Sequence, residues 1–259
     1  MNEYAQLFDL TGSVALVAGG TGAIGFEMAR ALAAQGAKVA ISGRSVEQAI
    51  SLAAQLGDSG AQVMGLALDV TDEHSVAAAY DALAAKWGPV DVLVNAAGTH
   101  IEQPSVEATT EAWDTVLDVN LRGAFLLSQG AARAMIAAQH GGSIIHVTSV
   151  RSTLGIRRGY AAYCASKGGL GILIKQLACE WAQYGIRVNG IGPTFTRTPL
   201  VEGYLSDSAF YDALVARIPL GRVCETGDLA GIAIFLASPA SSFITGQNIL
   251  VDGGVTATQ

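Results

Sequence analysis

From Val14 to Val251, short apolar runs alternate with longer segments of helical period. That alternation predicts an α/β fold with one doubly wound parallel sheet, because each crossover between parallel strands needs a segment long enough to cross back over the sheet. Val14 to Ala18 reads as a buried strand, 19–25 as a turn, 24–35 as a helix stopped by Gly36, and 38–42 as a second strand, which together make one βαβ unit. The rhythm continues with strands at 63–67, 90–95, 143–148, 186–191 and 248–251. Helices are expected at 46–56, 72–87, about 111–139, about 161–184 and 228–237. Seven strands are therefore expected. Residues 200–221 break the regularity with polar and aromatic residues and read as a helical insertion, the kind of segment that forms a lid, with about 195–221 involved.

The 259 residues are 51% hydrophobic and 14% charged, which excludes disorder and leaves enough apolar material for a large core. A net charge of −7 argues against a general basic surface for nucleic acid or anionic membrane, so small-molecule partners are expected. No stretch has signal-peptide or membrane-spanning character, which predicts a cytoplasmic protein. Cys164, Cys179 and Cys224 lack C-x-x-C spacing, and His74, His100, His140 and His146 fall on separate elements, so neither a disulfide framework nor a metal is indicated. With no linker or repeat, residues 1–259 read as one domain.

Gly20-Thr21-Gly22-Ala23-Ile24-Gly25 satisfies G-x-G-x-x-G between a strand and a helix, the context a dinucleotide site requires. Gly19, Thr21, Gly22, Ile24 and Gly25 are the candidate residues, since glycines let the backbone approach a diphosphate and the helix N-terminus offers it free N–H groups. The second strand ends in Ser42-Gly43-Arg44-Ser45, without the carboxylate that would bind a ribose 2′-hydroxyl. Arg44 and Ser45 suit a 2′-phosphate instead, so NADP(H) is favoured and NAD(H) is the alternative. The cofactor half is then about 7–150 and the catalytic and substrate half about 140–259.

Tyr163 and Lys167, four residues apart, share one face of a predicted helix. Ser149 lies just beyond the strand at 143–148, at the carboxyl edge where open α/β sheets bind ligands. A hydroxyl, a phenol and an ammonium can converge there. With these residues the chain resembles the short-chain dehydrogenase/reductase family, from about Leu7 to Gly254. Motifs agree in order: the 19–25 turn, Asp69-Val70, Asn95-Ala96-Ala97-Gly98, Asn120, Ser149, Tyr163 with Lys167, and Pro193 through Thr198. Ala18, Ala23 and Thr194 depart from the family pattern, without removing a catalytic group.

The resemblance implies that Tyr163 is acid in carbonyl reduction and base in alcohol oxidation, with a phenol pKa lowered by Lys167 and an oxidised nicotinamide. It implies that Ser149 bonds the substrate oxygen and that Asn120, through water and Lys167, completes a proton relay. It also places Asp69 and Val70 beside adenine, Asn95 at the strand end, and Pro193, Thr196 and Thr198 along the nicotinamide carboxamide. Read alone, Asn120 suits a satisfied core amide and Asp69 could equally cap the helix starting near Asp72.

Substrate residues carry less signal. His100 follows the 95–98 turn, and Arg151, Arg157, Arg158 and Arg197 form a local positive cluster suited to a carboxylate or phosphate, alongside the solvated-charge reading. The resemblance extends to gluconate 5-dehydrogenase-like members, which implies a sugar acid, polyol or similar substrate. A 3-oxoacyl carrier-protein reductase is the alternative, and a catalytically silent NADP-binding regulator is the alternative of another class. The family also implies a homotetramer, or a dimer, built through the two long helices and the last strand.

Overall fold

The computed structural model describes residues 3–58 and 60–258. After the short helix α1 (Glu3–Gln6), the chain runs β1 (Val14–Ala18), α2 (Ala23–Ala34), β2 (Lys38–Gly43), α3 (Val46–Gly57), β3 (Val63–Ala67), α4 (Glu73–Trp87) and β4 (Val92–Asn95). The second half runs α5 (Thr110–Leu117), α6 (Gly123–Ala138), β5 (Gly142–Val147), α7 (Ala161–Trp181), β6 (Ile186–Pro193), α8 (Glu202–Leu205), α9 (Ser208–Val215), α10 (Ala230–Ala237) and β7 (Asn248–Val251). Among the described residues the strands form one seven-stranded sheet in the order β3-β2-β1-β4-β5-β6-β7, and every pairing is parallel.

Both sheet faces are covered, so β1 is buried along its whole length. Its period of two divides the core. Val14, Leu16 and Ala18 pack with residues of α4, α6 and α7, whereas Ala15 and Val17 pack with α2 and α10. The strand order reverses between β1 and β4, and the crevice at that switch point is where a doubly wound sheet binds its ligand.

Element boundaries differ from the sequence reading where side chains intervene. The long helix expected over 111–139 is interrupted by a π-helical turn, Asp118–Arg122, which places Asn120 in a widened stretch of backbone. The strand expected from 90 begins at Val92, just after Asp91, whose carboxylate accepts the Val14 N–H at 2.8 Å. The helix α4 is capped by Asp72, whose carboxylate accepts the His74 N–H, and not by Asp69. Asp69 instead accepts from the Thr71 N–H at 2.9 Å and the Thr71 hydroxyl at 2.7 Å. Residues 200–221 hold α8 and α9, the latter capped by Asp207.

Candidate active site

The carboxyl ends of β1, β4, β5 and β6 open onto a cleft of about 620 Å³. Its first wall is the turn after β1. Gly19 has φ +71°, and a Cβ there would stand 2.5 Å from the Ala97 nitrogen, so the turn can lie against the 96–98 segment only as glycine. Gly25 is equally confined, since a Cβ would overlap the Gly19 carbonyl oxygen. Gly25→Ala is expected to cost about 2 kcal/mol of stability, the usual scale for overpacking, read as a fall in the urea midpoint. An unchanged midpoint would show that the turn relaxes freely.

Helix α2 starts at Ala23 with Gly22 as its N-cap and has neither a side-chain cap nor an acidic residue in its first turn. Its free N–H groups and positive dipole end therefore face the cleft that Thr21, Gly22, Ala23 and Ile24 line. This chemistry fits a dinucleotide diphosphate.

At the end of β2 the side chains divide their tasks. Ser42 is buried and donates to the Val17 carbonyl, while Ser45 caps α3, accepting from the Gln48 N–H and donating to Glu47. Arg44 is exposed and close enough to Asp69 to help hold that carboxyl below its usual range, after the larger effect of the Thr71 bonds. Among the described residues Arg44 is thus the unpaired cation at this edge, and the Ser45 hydroxyl is already committed to the helix. Asp69 and Val70 lie outside the lining of the cleft, Val70 being buried against Gly123.

The segment after β4 is held from below. Asn95 accepts the Ala97 N–H on Oδ1, and its Nδ2 meets the His146 Nδ1 at 3.2 Å. Asn120 accepts the Thr99 N–H at 2.8 Å and donates to the Thr99 carbonyl and to Ser166 Oγ. Both N–H donors of its amide are thus used, and its Oδ1 and the Lys167 ammonium stand on either side of Gly98.

Ser149, Tyr163 and Lys167 meet on the floor of the cleft. Ser149 caps the turn Val150–Ser152, accepting the Arg151 N–H at 3.1 Å. Lys167 is buried and donates to the Val147 carbonyl at 2.8 Å, with its Nζ 5.7 Å from the Tyr163 ring centre. Burial lowers the Lys167 pKa to about 8. The Tyr163 phenol is raised, not lowered: burial dominates, while the Ser149 hydroxyl and the Arg151 charge oppose it. In the chain alone, desolvation outweighs these two effects.

Pro193, Thr196 and Thr198 border the cleft, with Phe195, Pro199 and Leu200 beside them. The His100 ring lies over Tyr160 with centres 3.9 Å apart and meets the Tyr163 ring edge-on at 5.2 Å. Both His100 ring nitrogens are buried without a hydrogen-bond partner among the described residues, and burial lowers the pKa of the ring.

The arginine cluster is not uniform. Arg158 is paired bidentately with Glu102 at 2.7 and 2.9 Å, and Arg197 with Glu202 and Glu225. Arg157 is exposed and outside the cleft lining. Arg151 alone of the four lines the cleft. The local placing of these arginines signalled a positive patch, and only the structure shows which charges are already neutralised.

A family model described as enoyl-(acyl carrier protein) reductase matches residues 18–256. The chain belongs to the short-chain dehydrogenase/reductase family. This dehydrogenase/reductase is 36% identical to gluconate 5-dehydrogenase of Gluconobacter oxydans, over 99% of both chains. It is 42% identical to D-threitol dehydrogenase of Mycolicibacterium smegmatis, over 96% of this chain and 95% of that one. The structure of a gluconate 5-dehydrogenase from Burkholderia cenocepacia in complex with NADP and tartrate superposes with a TM-score of 0.95 at 39% identity, covering 99% of this chain and 100% of that one. The chain is therefore an oxidoreductase acting on CH–OH groups. Among the described residues no helix is long and apolar enough to cross a membrane.

Proposed function

We propose that the chain is a cytoplasmic, NADP(H)-dependent oxidoreductase that interconverts a carbonyl and a secondary alcohol on a sugar acid, polyol or similar small polar substrate. The observation that carries this reading is the convergence of Ser149, Tyr163 and Lys167 on the same cleft that the open N-terminus of α2 lines. The relatives named for gluconate, D-threitol and bound NADP support it. In the same reading the described sheet serves as one catalytic domain. The exposed apolar side chains Trp113, Phe125 and Ile172 on α5, α6 and α7 support assembly as a homotetramer.

Thr21, Gly22, Ile24 and Gly25 would hold the diphosphate, Arg44 the 2′-phosphate, and Pro193, Thr196 and Thr198 the nicotinamide end. Ala96, Ala97 and Gly98 would flank it, with Asp69 and Val70 on the adenine side and Asn95 supporting the strand end. When bound, the nicotinamide supplies or accepts the hydride. Tyr163 gives its phenolic proton to the substrate oxygen in reduction and takes it back in oxidation. Ser149 donates to the same oxygen and stabilises the charge that develops there. Lys167, held by the Val147 carbonyl, supports the phenolate electrostatically, and Asn120 keeps the 98–99 turn beside it. His100, which lines the same cleft beside Tyr163, would border the substrate.

The carrier-protein reading needs a basic docking surface at the mouth, and the Glu102–Arg158 and Arg197–Glu225 pairs weaken that surface. The silent-regulator reading has no missing catalytic group to support it.

The test is turnover of reduced nicotinamide, NADPH and NADH in parallel, against keto sugar acids, ketoses, 3-oxoacyl thioesters and simple diketones. NADPH-preferring reduction of a polyhydroxylated carbonyl is the expected result, and turnover confined to thioesters would overturn the substrate class. Arg44→Ala is expected to weaken NADPH roughly 10- to 100-fold and leave NADH nearly unchanged, the loss of one charge-assisted contact to a phosphate. Equal losses for the two cofactors would remove Arg44 from that role.

A further inference from the structure

Three segments that contribute to the cleft meet at one guanidinium outside its lining. Arg158 and Tyr160 come from the segment between β5 and α7, Glu102 from the segment after β4, and Tyr204 from α8 in the 200–221 insertion. The Arg158 fork donates to both Glu102 oxygens, from Nε at 2.9 Å and from Nη2 at 2.7 Å. Its Cζ stands 5.3 Å from the centre of the Tyr204 ring and 5.8 Å from that of Tyr160. The first two segments also touch through their backbones, since the Gln103 N–H donates to the Gly159 carbonyl at 3.0 Å and a Cβ on Gly159 would overlap Gln103.

Each partner of Arg158 leads to a residue that lines the cleft. Tyr160 lines it and stacks on His100, and both rings meet Tyr163 edge-on. The Val201 carbonyl accepts the N–H groups of Tyr204 and Leu205 at 3.0 and 3.1 Å, which bonds this lining residue to α8. Tyr204 also meets Phe210, and Phe210 meets Phe195, each with ring centres 5.8 Å apart, so the chain of contacts returns to the lining at Phe195. Few core contacts hold the insertion otherwise: α8 buries only Leu205 and α9 buries no residue. Glu202 pairs with Arg197, but those side chains are 53 and 36% exposed, against 35 and 28% for Glu102 and Arg158. The less exposed pair is the less screened, which makes Arg158 the stronger tie.

We propose that Arg158 is a positioning residue that latches the 200–221 insertion to the His100–Tyr160 wall, so that both sides of the cleft stand in place before a substrate binds. The proposal rests on the carbonyl–alcohol reading above for the substrate being positioned. A ligand that meets an ordered wall loses less affinity to ordering it. Loss of the latch therefore appears in KM. The rate of the bound complex is set by Ser149, Tyr163 and Lys167, none of which Arg158 contacts in the described bonds.

Two measurements on the full chain test the latch. Deuterium uptake by the backbone amides of residues 202–215 reads the insertion without any turnover. It is expected to be about tenfold faster in Arg158→Gln and about threefold faster in Tyr204→Leu, the scale of a bidentate ion pair and of a cation–π contact. The second measurement is steady-state reduction, with NADPH, of a keto sugar acid or, where it turns over faster, a ketose. KM is expected to rise about tenfold in Arg158→Gln with kcat changed by less than about twofold. Arg158→Lys keeps the charge but not the fork and should recover part of the KM. Because both substitutions break one link, the double variant Arg158→Gln/Tyr204→Leu should raise KM no further than Arg158→Gln alone. Melting temperatures should stay within about 3 °C of the wild type, since a partly exposed pair adds little to global stability. Unchanged uptake over 202–215, an additive double variant, or a kcat that falls as far as KM rises would overturn the latch while leaving the carbonyl–alcohol activity in place. If no carbonyl turns over, the activity reading falls and the uptake alone decides the latch.

Discussion

Replacing Tyr163 by Phe is expected to lower kcat for carbonyl reduction by about 10³-fold, within the range usual for removal of a positioned acid. The substitution deletes one oxygen and keeps the ring, so the edge-on contacts with His100 at 5.2 Å and Tyr160 at 5.9 Å survive. The melting temperature should therefore stay close to that of the wild type, and cofactor binding should remain measurable by fluorescence. The direction of the pH dependence follows from the phenol. Burial raises its pKa, so it is protonated at neutral pH and ready to donate. Alcohol oxidation needs the phenolate and should rise with pH across the alkaline range, whereas reduction should not gain from that rise. A Tyr163→Phe protein that kept more than a tenth of the wild-type rate would assign the proton to another group.

The second large effect is acid lability centred on His146. Its ring is completely buried, with Nδ1 against the Asn95 amide nitrogen and Nε2 against Ser128 Oγ at 2.9 Å. An amide nitrogen can only donate, so Nδ1 accepts. The Ser128 hydrogen is used on the Ala124 carbonyl, so Nε2 carries the proton and donates to the Ser128 oxygen. This network is satisfied only by the neutral ring. Burial, followed by the Lys167 charge, holds the pKa down to about 3.

Between that value and the ordinary 6.5, the unfolded chain binds a proton that the folded chain refuses. Stability therefore falls as the pH drops through this window, by at most about 5 kcal/mol. Urea unfolding at steps from neutral to acid pH should show a slope for the wild type up to one proton steeper than for His146→Gln. The variant should start about 2 kcal/mol less stable, because its hydrogen bonds are imperfectly replaced. Parallel curves for the two proteins would mean that another group carries the acid transition. The same loss reaches the cleft, since Asn95, released from His146, no longer fixes the Ala97 N–H.

Much of this protein is written locally. The burial of every residue of β1 follows from an unbroken apolar run, and the turn after it from glycines that no larger residue could replace. Tyr163 and Lys167 were legible because a helix places residues four apart on one side. Side-chain caps and backbone detail are not written in the hydrophobic period: the Asp91 carboxylate reaches Val14, Asp72 caps α4, and a π-turn at Asp118–Arg122 interrupts the long helix.

The sequence by itself determined the order of strands and helices along the chain, the glycine turn and the placing of Tyr163 and Lys167 on one helix face, because these depend on neighbours a few residues away. Only the tertiary structure decided which charges remain free. It paired Arg158 with Glu102 across 56 residues and Arg197 with Glu225 across 28, and it left Arg151 lining the cleft. It likewise joined Asn95 to His146 across 51 residues and thereby set the proton state of a ring that looked unremarkable in the chain. Charge pairing and desolvation are properties of distance in space, and packing alone sets that distance.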